Sequence, residues 1–398
     1  MKIAIDCRWI TTDTGGIRNY TLNLVKNLLT VDKENEYFLI YDKEETKEVI
    51  LEYIEQRRDC FVRLRRTRND KLNFINVKYG PFSFKSQILL AFVLNNRKID
   101  ILHSTNFMIP IFFNRYKIII TVHDLIPYLF PQWCYRSKKA KVYPVYKKIT
   151  EIILNKVDSI ISDSQNTKKD IEKVFPECAS KVDVVYLGVE TEKFRKVDSL
   201  ELVKALKKKL NLPEKGKILL YVGRQDPSKN LIGIIKAFNI VQSKNKDINL
   251  VIAGKKDTRY KEPYELVEKL NLNNSVFFTG LLSNEDLVLL FNAADIFVFL
   301  SFYEGFGLPP LEAMACGLPV IVANTSSLPE VVGDAAIKVD PGNIEEIAWN
   351  IIELLGNSQL QETLRKKGFE QVRKFSWEKA AEETLKIYGK IGTEEIST

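Results

Sequence analysis

The stretch Ser301–Pro319, SFYEGFGLPPLEAMACGLP, decides the fold. It follows the apolar run Ile296–Leu300, which has the length and composition of a buried parallel strand. The prolines inside the stretch predict a helix start, because a missing N–H costs nothing at the first helical positions. A second apolar run, Pro319–Ala323, follows directly. The stretch is therefore interpreted as a strand, a loop, a helix and a second strand of a parallel α/β sheet.

Two carboxylates and two glycines lie in this loop and helix. Glu304 follows the strand, and Glu312 comes eight positions later in the predicted helix. Gly305 and Gly307 allow a ligand to approach the backbone closely, because glycine has no Cβ. Ligands bind at the carboxyl ends of strands in open α/β sheets, and a helix N-terminus there favours an anion. A solvated Glu-rich helix after a glycine turn is the plain alternative, but the combination of residues favours a binding site.

Alternating strands and helices extend in both directions from this stretch. A first series of apolar strands is predicted at 2–7, 37–41, 99–103, 118–123, 159–163 and 182–186, and a second at 218–223, 248–254, 276–279, 296–300, 320–323 and 337–339. Two such series predict two doubly wound, Rossmann-like domains with parallel sheets, which usually hold a ligand in the cleft between them. We expect an N-terminal domain at 1–188, a C-terminal domain at 189–375, and a final amphipathic helix within 376–398.

Composition supports two cytosolic domains without a metal centre. The chain has 398 residues, of which 45% are hydrophobic and 28% charged, as is usual for globular proteins. Its five cysteines are widely spaced, with no metal-ligand or redox spacing, so we expect reduced core thiols. The N-terminus reads as a strand rather than a signal peptide, and no apolar run approaches the ~20 residues that a membrane-spanning helix needs.

Positive charge is concentrated in the N-terminal half. Residues 1–195 hold 33 Lys and Arg against 24 Asp and Glu, whereas residues 196–398 hold 26 against 27. Arg57–Lys85 alone contains nine basic and two acidic residues, and Lys138–Lys148 mixes basic with aromatic residues. A solvated surface, or a helix surface interrupted by Pro144, is one interpretation; attraction to an anionic membrane or acceptor is the other. Nucleic acid is less favoured, because no nucleic-acid motif accompanies the charge.

Three further loops at predicted strand ends carry polar residues or glycines. They are Gly15-Gly16, His123-Asp124, and Gly223–Asn230 with its cations Arg224 and Lys229. The two cations suit a diphosphate, although on this loop alone an ordinary surface turn is the better interpretation. Neither a Walker A loop nor G-x-G-x-x-G is present. There is also no D-x-D, so the sequence predicts chemistry that needs no metal or other cofactor.

Only two histidines occur, and both follow or end predicted strands. A lone histidine is more often a satisfied buried residue than a catalytic one, but Asp124 beside His123 raises its candidacy. The same argument applies more weakly to His103.

Taken together, these motifs resemble the retaining family 4 glycosyltransferases of the GT-B fold. The resemblance rests on GR-x4-KN at Gly223–Asn230, on E-G-F-G-L-P-x-L-E-A at Glu304–Ala313, and on the Gly15-Gly16 loop. His123–Pro127 resembles the H-D-x-x-P of many members, often those that use a GDP-sugar, and Ser162–Lys168 matches the stretch before the interdomain linker. Phe375–Trp377 is similar to the start of a last helix that, in this fold, crosses back onto the N-terminal domain.

The resemblance implies a role for each matching position. Arg224 and Lys229 would bind the donor diphosphate and stabilise the leaving group, and Glu312 would accept hydrogen bonds from the ribose. Glu304, with the backbone amides of Gly305, Phe306, Gly307 and Leu308, would hold the hydroxyls of the donor sugar. His123 would lie beside that sugar, and Gly15 and Gly16 would let the N-terminal backbone approach the phosphate. No family motif constrains Thr67–Lys85 and Pro127–Lys148, which we expect to face the acceptor.

The function that the resemblance implies is metal-independent transfer of a sugar, with retention, from a nucleotide-diphosphate sugar to a saccharide or lipid-linked saccharide. GDP-mannose is the favoured donor, and polysaccharide or lipopolysaccharide assembly at the inner membrane face is the expected setting. An alternative is a nucleotide-sugar epimerase or hydrolase of the same fold, which would not transfer the sugar to an acceptor. A non-catalytic sugar-nucleotide-binding subunit would show no turnover, and the complete set of site residues argues against it.

Overall fold

The computed structural model describes residues 1–10, 15–55, 72–81, 83–110, 115–134 and 143–393. The chain divides into two compact units. The first comprises Met1–Leu129, Ser137–Gly188 and Trp377–Thr398, and the second comprises Phe130–Arg136 and Val189–Ser376.

Thirteen strands occur in the described part of the chain. In chain order they are β1 Lys2–Asp6, β2 Glu36–Tyr41, β3 Leu72–Asn76, β4 Ile101–Ser104, β5 Lys117–Val122, β6 Ser159–Ser162, β7 Val182–Val184, β8 Lys217–Val222, β9 Ile248–Ala253, β10 Val276–Gly280, β11 Ile296–Phe299, β12 Val320–Ala323 and β13 Ile337–Val339.

The α-helices of the described residues lie between these strands and after the last of them. They are α1 Gly16–Val31, α2 Glu44–Glu55, α3 Phe84–Asn96, α4 Ile126–Leu129, α5 Pro131–Cys134, α6 Tyr143–Lys156, α7 Gln165–Val174, α8 Leu200–Lys209, α9 Leu231–Lys244, α10 Glu262–Lys269, α11 Asn284–Ala293, α12 Leu308–Ala315, α13 Leu328–Val332, α14 Ile344–Gly356, α15 Ser358–Val372 and α16 Trp377–Gly392.

The first unit contains a parallel sheet in the order β3-β2-β1-β4-β5-β6-β7. Both faces of its central strands are covered: every residue of β5 is buried, as is every residue of β6. Helix α16 packs against α1 in this unit, where Trp377 lies 6.1 Å from Tyr20, ring centre to ring centre.

The second unit contains a parallel sheet in the order β10-β9-β8-β11-β12-β13. The deciding stretch Ser301–Pro319 leaves β11, enters α12 and returns as β12, as the sequence predicts. In both sheets the strand order reverses direction beside the first strand of the unit, as in doubly wound folds. The predicted fold class, two parallel-sheet α/β units, is confirmed.

The structure adds elements to the stretch Thr67–Lys85, in which the sequence predicts no strand or helix. Its described part contains β3, which pairs with β2, and the start of α3 at Phe84. The strand was missed because two of the five residues of LNFIN are asparagine, which is depleted in strands, and because the run stands beside a strongly basic segment. Helix α6 begins at Tyr143, so Pro144 lies in its first turn rather than interrupting it. Residues 56–71 and 135–142, with most of the basic residues considered above, lie outside the described part.

Among the cysteines, Cys7, Cys178 and Cys316 are buried and unbridged, which agrees with the expected core thiols. Cys60 and the side chain of Cys134 lie outside what the structure describes.

Candidate active site

Lys229 and Glu304 meet at the carboxyl ends of neighbouring strands in the second unit. Lys229 comes from the loop after β8 and Glu304 from the loop after β11, which pairs with β8. The Lys229 Nζ lies 2.7 Å from Glu304 Oε1, and each side chain is 14% exposed. At this distance and burial the pair is a charge-assisted hydrogen bond that orders both loops.

The turn that carries Lys229 is fixed by its own side chains. Asp226 accepts a hydrogen bond from the backbone N–H of Ser228 at 3.1 Å, so Pro227–Lys229 forms a single turn of 3₁₀-helix. Asn230 then takes a left-handed conformation with φ 55° and caps α9 by accepting from Gly233 N. The sequence GR-x4-KN therefore encodes a tight strand-to-helix connection with the lysine at its apex.

The loop that carries Glu304 is held by the loop after β12. Ser326 Oγ accepts from the Glu304 backbone N–H at 2.9 Å, while Ser327 Oγ donates toward the carbonyls of Glu304 and Phe306. The Phe302 N–H donates to the Ser228 carbonyl at 2.8 Å, which joins this loop to the Lys229 turn. The position of Glu304 thus depends on three strand-end loops.

Two glycines are required where these loops pack closely. A Cβ on Gly254 would lie 1.9 Å from the carbonyl oxygen of Gly223, so the ends of β8 and β9 approach each other as only glycine allows. Gly307, at φ 105°, precedes α12, and a Cβ there would lie 2.6 Å from Leu328 Cδ2.

The N-terminus of α12 offers fewer amides than an ordinary helix. Pro309 and Pro310 have no N–H, so Leu308 alone supplies an amide among the first three helical residues. Phe306 is buried, with its ring 5.7 Å from that of Phe375, so only its backbone is a candidate for binding. Gly305 lies between Glu304 and Phe306 in the same loop.

Arg224 is the most accessible candidate. Its side chain is 76% exposed, and its Nε lies 3.6 Å from Asp226 Oδ2. The carbonyl of Arg224 accepts from the Tyr221 hydroxyl at 2.8 Å, so the backbone is fixed while the guanidinium projects to solvent. A forked donor in this position is available to a diphosphate.

Glu312 lies in an environment that favours its protonated form. Burial raises the pKa of its carboxyl to about 7, the charge of Lys193 lowers it and that of Glu190 raises it. Lys193 and Glu190 form an ion pair of 3.6 Å in the segment that opens the second unit. The Glu312 carboxyl therefore changes charge near neutral pH.

The remaining candidates, Gly15, Gly16 and His123, belong to the first unit. Gly15 caps α1 and Gly16 is its first residue, and a Cβ at either meets no described atom within 4 Å. His123 directly follows β5, its Nδ1 2.6 Å from Asp163 Oδ2 and its Nε2 3.0 Å from the Thr105 carbonyl oxygen.

No cluster of three or more side chains suited to a metal occurs in the described part of the chain. Within the same ranges, no helix is long and apolar enough to cross a membrane.

Comparison with known proteins decides the family. The family model described as Glycosyltransferase Family 4 matches residues 14–193, and that described as Glycosyl transferases group 1 matches residues 203–371. The two matches occupy the two halves of the chain in succession. The chain belongs to glycosyltransferase family 4. The resemblance noted in the sequence, the GT-B fold and the enzyme class are thereby confirmed.

One curated relative of this glycosyltransferase matches nearly its whole length. The O-antigen chain mannosyltransferase B of Escherichia coli is 28% identical over 394 residues, which is 98% of this chain and 99% of that protein. The serotype-specific mannosyltransferase WbdA of Escherichia coli is 30% identical over 270 residues, or 67% of this chain and 32% of that longer protein. The solved structure of HepE from Anabaena, in complex with UDP and glucose, shares the fold, with a TM-score of 0.73, 17% identity and coverage of 98% and 100%.

Within the second unit of the glycosyltransferase, the structure brings Lys229 directly against Glu304 and leaves Arg224 open to solvent. It also shows positioning residues that the sequence analysis did not single out. Ser326 and Ser327 hold the Glu304 loop, and Glu190 and Lys193 set the charge around Glu312.

Asp163, the partner of His123, was noticed only as part of the Ser162–Lys168 match. The available signal was its place directly after a predicted strand, as for His123 itself.

Proposed function

We propose that this glycosyltransferase moves mannose from GDP-mannose to a saccharide acceptor, with retention and without a metal, in the assembly of a surface polysaccharide. The observation that carries the choice of mannose is the similarity to a mannosyltransferase over 394 residues. The name of that relative suggests an O-antigen-like saccharide as the acceptor. The guanosine base is supported by the H-D-x-x-P resemblance at His123–Pro127.

The charge of the site supports metal-free transfer. Cleavage of the bond between the anomeric carbon and the phosphate builds negative charge on the diphosphate. Arg224 and Lys229 supply two cations in the connection between β8 and α9 that can stabilise this charge. Because these groups are in place before the reaction, no bound cation is required to neutralise the leaving group.

The surroundings of Glu304 support retention by attack on the same face of the sugar rather than through a covalent intermediate. Its carboxylate is engaged by Lys229 at 2.7 Å, which lowers its nucleophilicity. A carboxylate that lies against a lysine at the end of a strand suits the binding of sugar hydroxyls. We therefore assign Glu304 to donor-sugar binding, with the amides of Gly305–Leu308, and Glu312 to the ribose.

The test is transfer of radiolabelled sugar to a panel of mannose-containing acceptors. GDP-mannose, UDP-glucose and GDP-fucose are compared at equal concentration, with the anomeric configuration of the product determined by NMR. Transfer of mannose from GDP-mannose alone, with the α configuration kept, supports the proposal. Transfer from a uridine donor, an inverted product, or release of free mannose with no acceptor used would contradict it.

Donor binding is tested separately by thermal unfolding with nucleoside diphosphates, with and without a chelator. A ligand that binds only the folded state raises the Tm. At a concentration of 100 times its Kd, it increases the free energy of unfolding by about 2.7 kcal/mol. We expect GDP to raise the Tm and EDTA to leave that shift unchanged. A shift that disappears with EDTA would show that a metal is needed.

We also propose peripheral contact of the first unit with an anionic membrane, through the outward face of α3. This helix is apolar around most of its circumference, and Phe84, Leu89 and Phe92 are 70%, 46% and 52% exposed. Lys85, Arg97 and Lys98 are exposed on the same helix or at its end. An exposed apolar face with basic residues at its border suits the interface of an anionic lipid layer.

Vesicle flotation tests this contact. We expect binding to vesicles that contain phosphatidylglycerol, weaker binding to phosphatidylcholine vesicles, and loss of binding in Phe84→Ser/Phe92→Ser. Leu200→Ser is the matched control, because Leu200 is 78% exposed in the second unit. Equal binding to both lipids, or equal loss in the control, would contradict the proposal.

A further inference from the structure

A histidine and an aspartate are paired at the carboxyl ends of adjacent strands in the first unit. Thr105 follows β4, His123 follows β5, and Asp163 follows β6. The three strands are parallel neighbours in the order β4-β5-β6. This order places the imidazole between an aspartate on one side and a backbone carbonyl on the other. The Nδ1–Oδ2 distance is 2.6 Å, and the distance from Nε2 to the Thr105 carbonyl oxygen is 3.0 Å.

The partners of His123 determine its protonation. A backbone carbonyl can only accept a hydrogen bond, so Nε2 must carry a hydrogen. A carboxylate also only accepts, and an unprotonated Nδ1 at 2.6 Å would place a lone pair against a negative oxygen. With Asp163 ionised, both ring nitrogens therefore carry hydrogens, which makes the ring an imidazolium. It has no lone pair with which to accept a proton.

Burial makes the pairing strong. The side chain of His123 is 17% exposed and that of Asp163 is 3% exposed. The second oxygen of Asp163, Oδ1, is buried and has no hydrogen-bond partner among the described residues. The charge of Asp163 is thus balanced through a single oxygen, by His123, and removing His123 would leave a buried negative charge uncompensated.

The other groups that face His123 agree with this charge state. Tyr20 of α1 packs edge-on against the ring, with centroids 4.9 Å apart. Burial acts to lower the pKa of His123, but Asp163, the Thr105 carbonyl and Asp124 outweigh it, so the pKa is raised. Burial lowers the pKa of His103 to about 3, with the charge of His123 acting in the same direction. The two histidines therefore differ in charge at neutral pH.

We propose that His123 is a fixed imidazolium in the working enzyme and that Asp163 is the positioning residue that holds it so. In the transfer reaction, His123 then takes no proton from the acceptor hydroxyl and contributes a permanent positive charge. The catalytic part of this statement rests on the proposed function, whereas the charge state of the ring does not.

The charge state is measured on the unmodified full-length chain. Because the sequence contains only two histidines, ¹⁵N-histidine labelling gives two ring spin systems. At pH 7.5 we expect one ring with both nitrogens protonated and one neutral ring, with no change in the first between pH 6 and 8. His123→Asn, or paramagnetic broadening of the more exposed ring, assigns the signals. Two neutral rings at pH 7.5 would overturn the proposal, whether or not the protein transfers mannose.

The role of Asp163 is tested with a matched pair of variants. Asp163→Asn removes the paired charge, whereas Asp124→Asn removes the adjacent carboxylate, which accepts a hydrogen bond from the Ile126 N–H. We expect the proton affinity of His123 to fall at least tenfold in Asp163→Asn and less in Asp124→Asn. Equal shifts would show that Asp163 has no special role. If Asp163→Asn does not fold, Asp163→Glu keeps the charge at a different reach and is expected to keep the imidazolium.

The pH profile of transfer separates a positioning role from a structural one. In the native protein kcat should show no ionisation from His123 between pH 6 and 8. In Asp163→Asn, kcat should fall as pH rises through the new pKa of His123. The same is expected of Asp163→Glu if the pKa of His123 is lowered in that variant. A rise in kcat over that range would identify His123 as a base and overturn the proposal. If no transfer occurs at all, the proposed function fails, and the NMR result still decides the charge state.

Discussion

The ammonium of Lys229 and the carboxylate of Glu304 lie 2.7 Å apart, and both side chains are largely buried. The two residues are 75 positions apart in the chain, and they are brought together because β8 and β11 are neighbouring parallel strands. The ion pair therefore joins the two strand-end loops to which the proposed function assigns donor binding.

Replacement of either partner should destabilise the protein more than replacement of both. Lys229→Met leaves Glu304 as a buried carboxylate without its cation, and loss of one partner of a buried pair costs roughly 1–3 kcal/mol or more. In Lys229→Met/Glu304→Gln no buried charge remains. A double-mutant cycle by chemical denaturation should give a coupling energy of about 1 kcal/mol or more. Additive effects would show that the pair contributes nothing by itself.

The activity of Lys229→Met should fall by about 10²–10³ in kcat, as on removal of one group that stabilises the leaving-group charge. Lys217→Met is the matched control, because Lys217 forms a 2.9 Å ion pair with Asp295 at the start of the same strand β8. The control should keep its activity. A loss in Lys217→Met as large as that in Lys229→Met would mean that the effect comes from the strand and not from the site.

Arg224 should affect donor binding without affecting stability. Its side chain is 76% exposed, so Arg224→Ala should leave the Tm unchanged. The Kd for a nucleoside diphosphate should rise at least tenfold and become less sensitive to salt, because an exposed cation acts through screened charge. Arg224→Lys should restore only part of the affinity, since lysine cannot form the forked contact.

The control for Arg224 is Arg259→Ala, an exposed arginine in the same unit that pairs with Asp257 at 2.5 Å. Calorimetry on both variants checks the prediction. Equal losses of affinity in the two would indicate that only the net charge of the unit matters.

Glu312 should give the protein a pH-dependent stability of unusual sign for a carboxyl group. Its folded pKa of about 7 lies above its ordinary value, so the native state binds more protons than the unfolded state between about pH 4.5 and 7. Stability from this group is therefore present at low pH and is lost as pH rises toward 7. Glu312→Gln, which mimics the protonated form, should raise the Tm by a few degrees at pH 8 and by less at pH 5.

Donor binding should show the opposite trend. An ionised Glu312 accepts hydrogen bonds from ribose hydroxyls, so affinity for the nucleoside diphosphate should increase as pH rises through about 7. Glu312→Gln should lose this dependence. A pH-independent affinity in the native protein would contradict the ribose role, while equal Tm gains at both pH values would contradict the raised pKa.

The fold could be predicted from the sequence because its signals are local. A largely apolar run such as Ile118–Val122 predicts a strand that is buried on both faces of a sheet. The Pro–Pro pair after Gly307 predicts the start of a helix. The pattern also placed Lys229 and Glu304 at strand ends. It did not show that they touch, since that contact depends on strand order, in which β11 inserts beside β8.

The residues that sequence analysis missed act through the backbone or through buried charge. Ser327 holds the Glu304 loop by hydrogen bonds to carbonyl oxygens. In the sequence alone, nothing distinguishes this serine from any other serine in a turn. Lys193 and Glu190 lie more than 100 positions from Glu312, so their effect on its pKa leaves no local pattern. Such long-range groups become visible only when the sheet is assembled.

Glycine substitutions should separate the requirements of folding from those of the donor. Gly254 has φ 138°, and Gly254→Ala would place a Cβ 1.9 Å from the Gly223 carbonyl oxygen. We expect the free energy of unfolding to fall by more than about 3 kcal/mol, so that the second unit does not fold. Gly356→Ala, at the end of α14, meets no described atom within 4 Å and should be neutral or slightly stabilising.

Gly16→Ala is the informative case, because its Cβ also meets no described atom within 4 Å and alanine favours the first turn of α1. The Tm should not fall, yet transfer should drop at least tenfold if the donor phosphate approaches this backbone in the reacting complex. Thermal unfolding and kcat/KM measured on the same preparations check both statements. Full activity in Gly16→Ala would mean that the glycine is there for chain geometry alone, and the close approach of the phosphate would be wrong.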